Sequence, residues 1–158
     1  MKLLLTFLAT LFFVSPCMAQ APLKVWIKTH HTIPTDGMIS GTTNLPDGTI
    51  MHAMLGAVTP SSDFNSDHCL DSGGSAVFAV SHGTFGPVNI GTGGNSCLKP
   101  GTHYVLDISI QAPFMQPPSV MAIMGKNGGN LAGPLVSESS ICREIQAKIP
   151  VKVISDGD

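Results

Sequence analysis

Alternation between apolar and polar side chains is clearest near the end of the chain, in the run Glu144-Ile145-Gln146-Ala147-Lys148-Ile149-Pro150-Val151-Lys152-Val153. From Ile145 every second residue is apolar, and the residues between are charged or polar except for Pro150. A period of two residues places the apolar side chains on one face of a β-strand. Because proline has no backbone N–H to donate to a neighbour, we expect this strand to lie at a sheet edge.

The same period recurs through the rest of the chain. In residues 102–110 the inward row is predicted to be Tyr104, Leu106, Ile108 and Ile110. Further strands are predicted at residues 23–29, 38–43, 49–58, 75–81 and 119–125. No stretch keeps a 3.6-residue period over ten positions, and only residues 137–146 could hold a short helical turn. The sequence therefore predicts an all-β fold.

A turn is predicted between two of these strands, in Asn44-Leu45-Pro46-Asp47-Gly48-Thr49. Pro46 restricts φ, Asp47 tolerates turn conformations, and Gly48 can adopt the left-handed region. We therefore expect Pro46, Asp47 and Gly48 to form a hairpin turn that pairs residues 38–43 with residues 49–58.

The amino terminus has the layout of a secretory signal, with Lys2, an apolar run over residues 3–14, and small side chains near Ala19. The run is shorter than the roughly 20 residues of a membrane span. Lipid attachment at Cys17 is disfavoured because Pro16 precedes it. We expect residues 1–19 to be removed, leaving residues 20–158 as a single periplasmic or secreted domain without a transmembrane segment.

Charge and composition narrow the class of protein further. Without Lys2 the chain has seven Lys and Arg residues against ten Asp and Glu residues, a balance of about −3. Nucleic-acid binding is not expected, because it requires clustered cations. The 17 glycines and 12 prolines favour a turn-rich β domain, since both residues weaken helix interiors.

Three cysteines remain after removal of residues 1–19, an odd number for a compartment in which disulfides persist. Cys69 and Cys97 both lie in glycine- and serine-rich segments, so the favoured pairing is between these two, with Cys142 free. The other two pairings stay open.

About seven strands with turn signals at this spacing predict a two-sheet β-sandwich. Residues 98–108, Leu-Lys-Pro-Gly-Thr-His-Tyr-Val-Leu-Asp-Ile, resemble the corner and following strand of fibronectin type III and immunoglobulin-like modules. The resemblance implies that the Tyr104 ring enters the core while its hydroxyl bonds to the backbone at the corner. Trp26 departs from the pattern because it lies in the first strand.

A wider similarity is to a group of uncharacterised bacterial exported proteins. It is carried by Gly41-Thr42-Thr43-Asn44-Leu45-Pro46-Asp47-Gly48-Thr49, by the strand after Pro100-Gly101, and by Gly125, Gly128, Asn130, Leu131 and Gly133. The similarity spans most of residues 20–158. It implies a shared fold and no particular activity.

No catalytic residues are predicted. Asp71-Ser72-Gly73-Gly74 resembles the nucleophile loop of chymotrypsin-like proteases, but the chain is too short for two barrels and lacks a histidine in the required context. We expect a non-enzymatic protein, with no cofactor, that binds a protein or small ligand. Residues 61–74 and 112–118 are the loops expected to do so, because sandwich loops commonly bind partners.

Copper binding is the alternative function. His52 and Met54 are two residues apart in a predicted strand, so both side chains project from one face. Imidazole and thioether ligands suit copper. Asp67, His68 and Cys69 form a second polar group that His82 and His103 could approach.

Overall fold

The structure is a computed structural model that describes residues 21–57, 72–90, 98 and 100–155. Strands account for 54% of these residues, which confirms a mostly β protein, and the main sheet is curled into a half-barrel. The strands are β1 (Leu23–Lys24), β2 (Ile27–Thr29), β3 (Thr32–Pro34), β4 (Met38–Thr43), β5 (Ile50–Ala57), β6 (Ser72–Ala79), β7 (Thr84–Asn89), β8 (His103–Ile110), β9 (Leu131–Ala132), β10 (Val136–Glu138) and β11 (Arg143–Ile154).

The strands form three sheets. The largest has the order β10-β11-β8-β5-β6, with β3 parallel to the last residues of β11. The second is the antiparallel sheet β2-β4-β7, and the third is the short parallel pair β1-β9. The chain passes from the first sheet to the second at a bridge between Ser81 and Thr84. The Phe78 ring of β6 and the Phe85 ring of β7 stack on either side of this bridge, with centroids 5.4 Å apart.

The inward rows of β8 and β11 confirm the predicted alternation. Cross-strand neighbours place Val151 opposite Tyr104 and Ala147 opposite Ile108, and Leu106 in turn lies opposite Leu55 of β5. These residues are buried in one core. Burying a leucine or isoleucine side chain contributes about 2 kcal/mol, so the three long strands supply much of the core stabilisation.

The hairpin predicted around Pro46, Asp47 and Gly48 is wrong, although the turn itself exists. Thr49 N donates to Pro46 O at 3.1 Å, and Gly48 has a φ of +84°. However, β4 pairs with β2 and β7, whereas β5 pairs with β6 and β8. The turn therefore connects two different sheets.

The strand predicted at residues 119–125 is also wrong, because this segment forms the helix α1 (Pro118–Met124). Pro118 occupies the first turn, where a missing N–H breaks no helical bond. Val120 and Met124 lie four residues apart and are both 0% exposed. Gly125 ends the helix with a φ of +81°. The helical turn predicted at residues 137–146 is wrong too, since β10 and β11 occupy most of it.

The last strand was predicted to lie at a sheet edge, and this prediction is wrong. Pro150 is tolerated for a different reason. One side of β11 pairs with β8, and the other side pairs with β10 and then with β3. On that second side Gln146 N donates to Leu135 O at 3.0 Å and Lys152 N donates to His31 O at 2.9 Å. Pro150 lies between these two contacts, in the gap between β10 and β3.

Several predictions fall on residues that the structure does not describe. Residues 1–19, predicted as a signal peptide, lie outside the described residues, as do Cys69 and Cys97 with their predicted disulfide. Cys142 is buried and is a free cysteine in the described part of the chain.

Candidate functional site

An exposed apolar segment lies where the chain leaves β8 for α1. Pro113–Met115 forms one 3₁₀ turn, and we call these three residues the 113–115 segment. Pro113 is buried, but Phe114 and Met115 are 44% and 58% exposed. The loop predicted at residues 112–118 is therefore compact, with two large apolar side chains facing solvent.

Gln116 anchors this segment to the sheet. Its side chain is only 4% exposed. Its Oε1 accepts a hydrogen bond from Ile50 N at 2.8 Å, while Nε2 donates to Ile50 O at 3.0 Å and to Gln111 O at 2.9 Å. The amide thus hydrogen-bonds Ile50 as a neighbouring strand would. A buried backbone group left without a partner costs about 1–3 kcal/mol, so this contact fixes the segment firmly.

Sequence reasoning missed Gln116 because its partner Ile50 lies 66 residues earlier. The available signal was a single polar residue within the otherwise apolar and proline-rich run after Ala112. That pattern alone does not distinguish a buried anchor from an exposed loop residue.

The chemistry of the segment suits apolar recognition. Residues 111–125 contain no charged side chain. Ile123, in the last turn of α1, is a third exposed large apolar residue, at 39%. Aromatic and methionine side chains are enriched at protein interfaces, and methionine adapts its shape to a partner. The segment offers contact area rather than acid–base groups.

The copper alternative falls on the outer face of the six-stranded sheet. His52 and Met54 both project from this face of β5, whereas Met51 points into the core and is 0% exposed. Met54 lies opposite Asp107 of β8. Asp107 Oδ2 accepts a hydrogen bond from Gln146 Nε2 at 2.7 Å, but its Oδ1 is buried and has no hydrogen-bond partner among the described residues.

Of the histidines expected near this group, the two that the structure describes, His82 and His103, do not join His52. His103 lies opposite Lys152, six residues along β8 from the Ser109 position that faces His52. His82 is in the turn after β6, beside Ser81. Asp67, His68 and Cys69 lie outside the described residues. Among the described residues no three His, Cys, Asp or Glu side chains are grouped to hold a metal ion.

The nine-residue motif at residues 41–49 has a structural role. Asn44 Oδ1 accepts from Trp26 N at 2.9 Å, and Asn44 Nδ2 donates to Lys24 O at 2.7 Å. Asp47 Oδ1 accepts from Gly83 N at 3.4 Å. A Cβ at Gly41 would collide with the Phe85 ring. The motif therefore ties the connection between β4 and β5 to residues 24–26 on one side and to the turn at Gly83 on the other.

The glycine element after α1 is also structural. Gly125, Gly128 and Gly133 all have positive φ, a conformation that glycine adopts readily. Asn130 Nδ2 donates to Ile123 O at 3.0 Å, which secures the end of the helix. Leu131 is 0% exposed and pairs in β9 with β1.

Tyr104 is 8% exposed, so its ring lies in the core as expected. The hydrogen bond implied for its hydroxyl stays a prediction. In the other predicted binding loop, residues 61–71 lie outside the described part, whereas residues 72–74 form the first residues of β6 rather than a loop.

Comparison of the chain with protein-family models, curated proteins and solved structures finds no match. Within the described ranges, no helix has the length and apolar character needed to cross a membrane.

Proposed function

We propose that this chain is an exported, non-enzymatic module of the cell envelope, periplasmic or secreted, that binds a protein or small ligand through the 113–115 segment. One observation carries the proposal: Phe114 and Met115 are exposed on a backbone that Gln116 holds to β5. An ordered apolar surface loses little conformational entropy on binding, which favours affinity.

Site-specific photocrosslinking in cells that export the protein tests this proposal. A photoreactive amino acid at position 114 is expected to give a discrete adduct, because this side chain contacts the partner. The control probe replaces Lys148, which is exposed on the outer face of β11, and is expected to give none. Met115→Asp should abolish the adduct at 114. An adduct that forms equally at both positions, or none at 114, contradicts the proposal.

We also propose that the six-stranded and three-stranded sheets face each other in an immunoglobulin-like manner. The support is their shared core, in which Ile39 of β4 and Phe85 of β7 belong to the same cluster as Met51 and Leu106. An experimental structure of the chain tests this arrangement, which fails if the two sheets share no packed interface.

Copper handling is a second candidate function, favoured by the position of Asp107. Asp107 lies opposite Met54, and its Oδ1 has no hydrogen-bond partner within the described ranges; His52 is two residues from Met54 on the same face. These side chains offer nitrogen, sulfur and oxygen donors. His52, Met54 and Asp107 would together supply three ligands, and all three belong to the described part of the chain.

Titration with Cu(I) and Cu(II) separates this candidate from the first. Submicromolar binding that is lost in both Met54→Leu and Asp107→Asn would support it. Met115→Leu is the matched control, because this methionine is equally exposed but lies in the 113–115 segment. Binding no tighter than micromolar, or binding unchanged in the two site variants, excludes it.

A further inference from the structure

Trp26, the only tryptophan of the chain, lies exposed at the start of the three-stranded sheet. It directly precedes β2 and is 41% exposed. Among residues 21–49, all of which the structure describes, it is the only exposed large apolar side chain. Because an indole has a large flat apolar surface, its exposed part offers a ligand a stacking face.

The backbone of Trp26 is held by two side chains of β4 and the turn after it. Asn44 Oδ1 accepts a hydrogen bond from Trp26 N at 2.9 Å, and Thr43 Oγ1 donates to Trp26 O at 2.8 Å. Thr43 is only 2% exposed, so its hydroxyl is fixed by packing. Both residues belong to the nine-residue motif at residues 41–49. The motif thus fixes the backbone from which the ring projects, and a ligand has little backbone to order on binding.

The surroundings of the ring are positively charged. Lys28 Nζ lies over the indole, 5.5 Å from the ring centroid. Lys24 precedes Trp26 by two residues and is also exposed. Residues 21–35 contain no Asp or Glu, and neither do the strands β2, β4 and β7 of this sheet. A ligand at this ring therefore meets ammonium groups, and a negatively charged ligand complements them.

Hydroxyl groups continue this surface across the sheet. Thr42 of β4 lies opposite Lys28 of β2 and opposite Thr84 of β7. All three residues are exposed, and residues opposite each other share one face of a sheet. A protein interface typically surrounds a tryptophan with further apolar side chains at its core. The ammonium and hydroxyl groups beside Trp26 instead suit a polar ligand that has one apolar face.

We propose that Trp26 and Lys28 form a binding site for an acidic sugar, whose pyranose ring stacks on the indole while its carboxylate pairs with the lysine ammonium. The C–H groups on one face of a pyranose carry partial positive charge, which complements the negative face of an aromatic ring. The sugar hydroxyls complement Thr42. The site shares no residue with the 113–115 segment, so either proposal can fail without the other.

Fluorescence titration of the purified protein tests the site, because Trp26 is the only tryptophan and the emission reports on this ring. The probes are tri-galacturonic acid and a hyaluronan tetrasaccharide. We expect at least one of them to shift the emission to shorter wavelength, with affinity that falls as salt is raised. The methyl ester of the same sugar keeps the rings without the charges, and it should bind about fivefold more weakly or less tightly still. No shift with either acid at millimolar concentration, or equal affinity for acid and ester, would overturn the proposal.

Substitutions measured by calorimetric titration separate ligand contacts from a structural role. Trp26→Ala should abolish binding with the far-UV circular dichroism unchanged, and Trp26→Phe should retain part of it, because a smaller aromatic face remains. Lys28→Gln should weaken binding of the acid about fivefold and leave the weaker binding of the ester unchanged. Lys148→Gln is the matched control, since this exposed lysine lies on β11 in the other sheet, and it should bind both normally. Binding retained in Trp26→Ala, or equal effects of the two lysine substitutions, would overturn the proposal.

Discussion

Gln116 is the residue on which the geometry of the 113–115 segment depends. We expect Gln116→Ala to lower the free energy of unfolding by about 3 kcal/mol, because the substitution leaves the Ile50 N–H without its acceptor and removes two further bonds. Urea unfolding measures the change. Gln146→Ala is the control, since its side chain is exposed and donates one bond to Asp107, and it should cost less than about 1 kcal/mol. Equal costs would contradict the anchoring role.

Glycine at position 41 is required by close packing. Gly41→Ala should destabilise the protein by about 3 kcal/mol or more, because the new Cβ collides with the Phe85 ring and with the carbonyl oxygen of Lys28. Gly56→Ala is the matched control: it also replaces a strand glycine, and no atom of the described residues lies within 4 Å of the added Cβ. Thermal unfolding of both variants should show a large decrease in Tm only for Gly41→Ala.

Single residues differ in how far the sequence predicts their surroundings. Leu106 and Ile108 could be assigned to the core because burial follows from strict alternation within one strand. The roles of Asn44 and Gln116 could not be predicted. Each side chain hydrogen-bonds backbone groups that are distant in sequence, in the way that a neighbouring strand would. No local pattern identifies which distant backbone needs a partner.

Among the elements, β11 allows a direct test of the explanation for Pro150. Gln146→Pro should destabilise the protein by about 3 kcal/mol or more, because it removes the N–H that donates to Leu135 O and places proline within a paired segment. Pro150→Val should change the free energy of unfolding by less than about 1 kcal/mol, since position 150 lies in the gap between β10 and β3.

Chemical denaturation of the two variants measures the difference. A large loss from Pro150→Val, or little loss from Gln146→Pro, would show that the second side of β11 is paired differently.

Element predictions succeeded where one strand face is buried and the other is exposed. The alternation in β8 and β11 predicted both strands to within two residues at each end. Residues 119–125 contain a mostly apolar run, which is compatible with either a strand or a helix, and the two prolines before it favour the helix. The short strands β3, β9 and β10 have too few residues to show a period.

For the whole molecule, composition and alternation were enough to predict a mostly β protein. They could not predict the sheet order, because consecutive strands are not always neighbours in space. Residues 38–43 and 49–58 looked like a hairpin, yet their strands belong to different sheets. Which strands pair is determined by contacts distant in sequence, such as those between β5 and β8.

The proposed binding site could be predicted only in part from the sequence. A loop at residues 112–118 could be proposed from its apolar and proline-rich sequence. Its rigidity depends on β5, far away in the chain, and so became visible only in the folded protein.

The most direct test of the central claim is the crosslinking yield from a photoreactive probe at position 114, compared between the parent chain and Gln116→Ala under conditions in which circular dichroism shows both to be folded. We expect the adduct yield to fall several-fold in Gln116→Ala, because the apolar side chains are then no longer held in position. An unchanged yield would contradict the claim that binding depends on the anchored 113–115 segment.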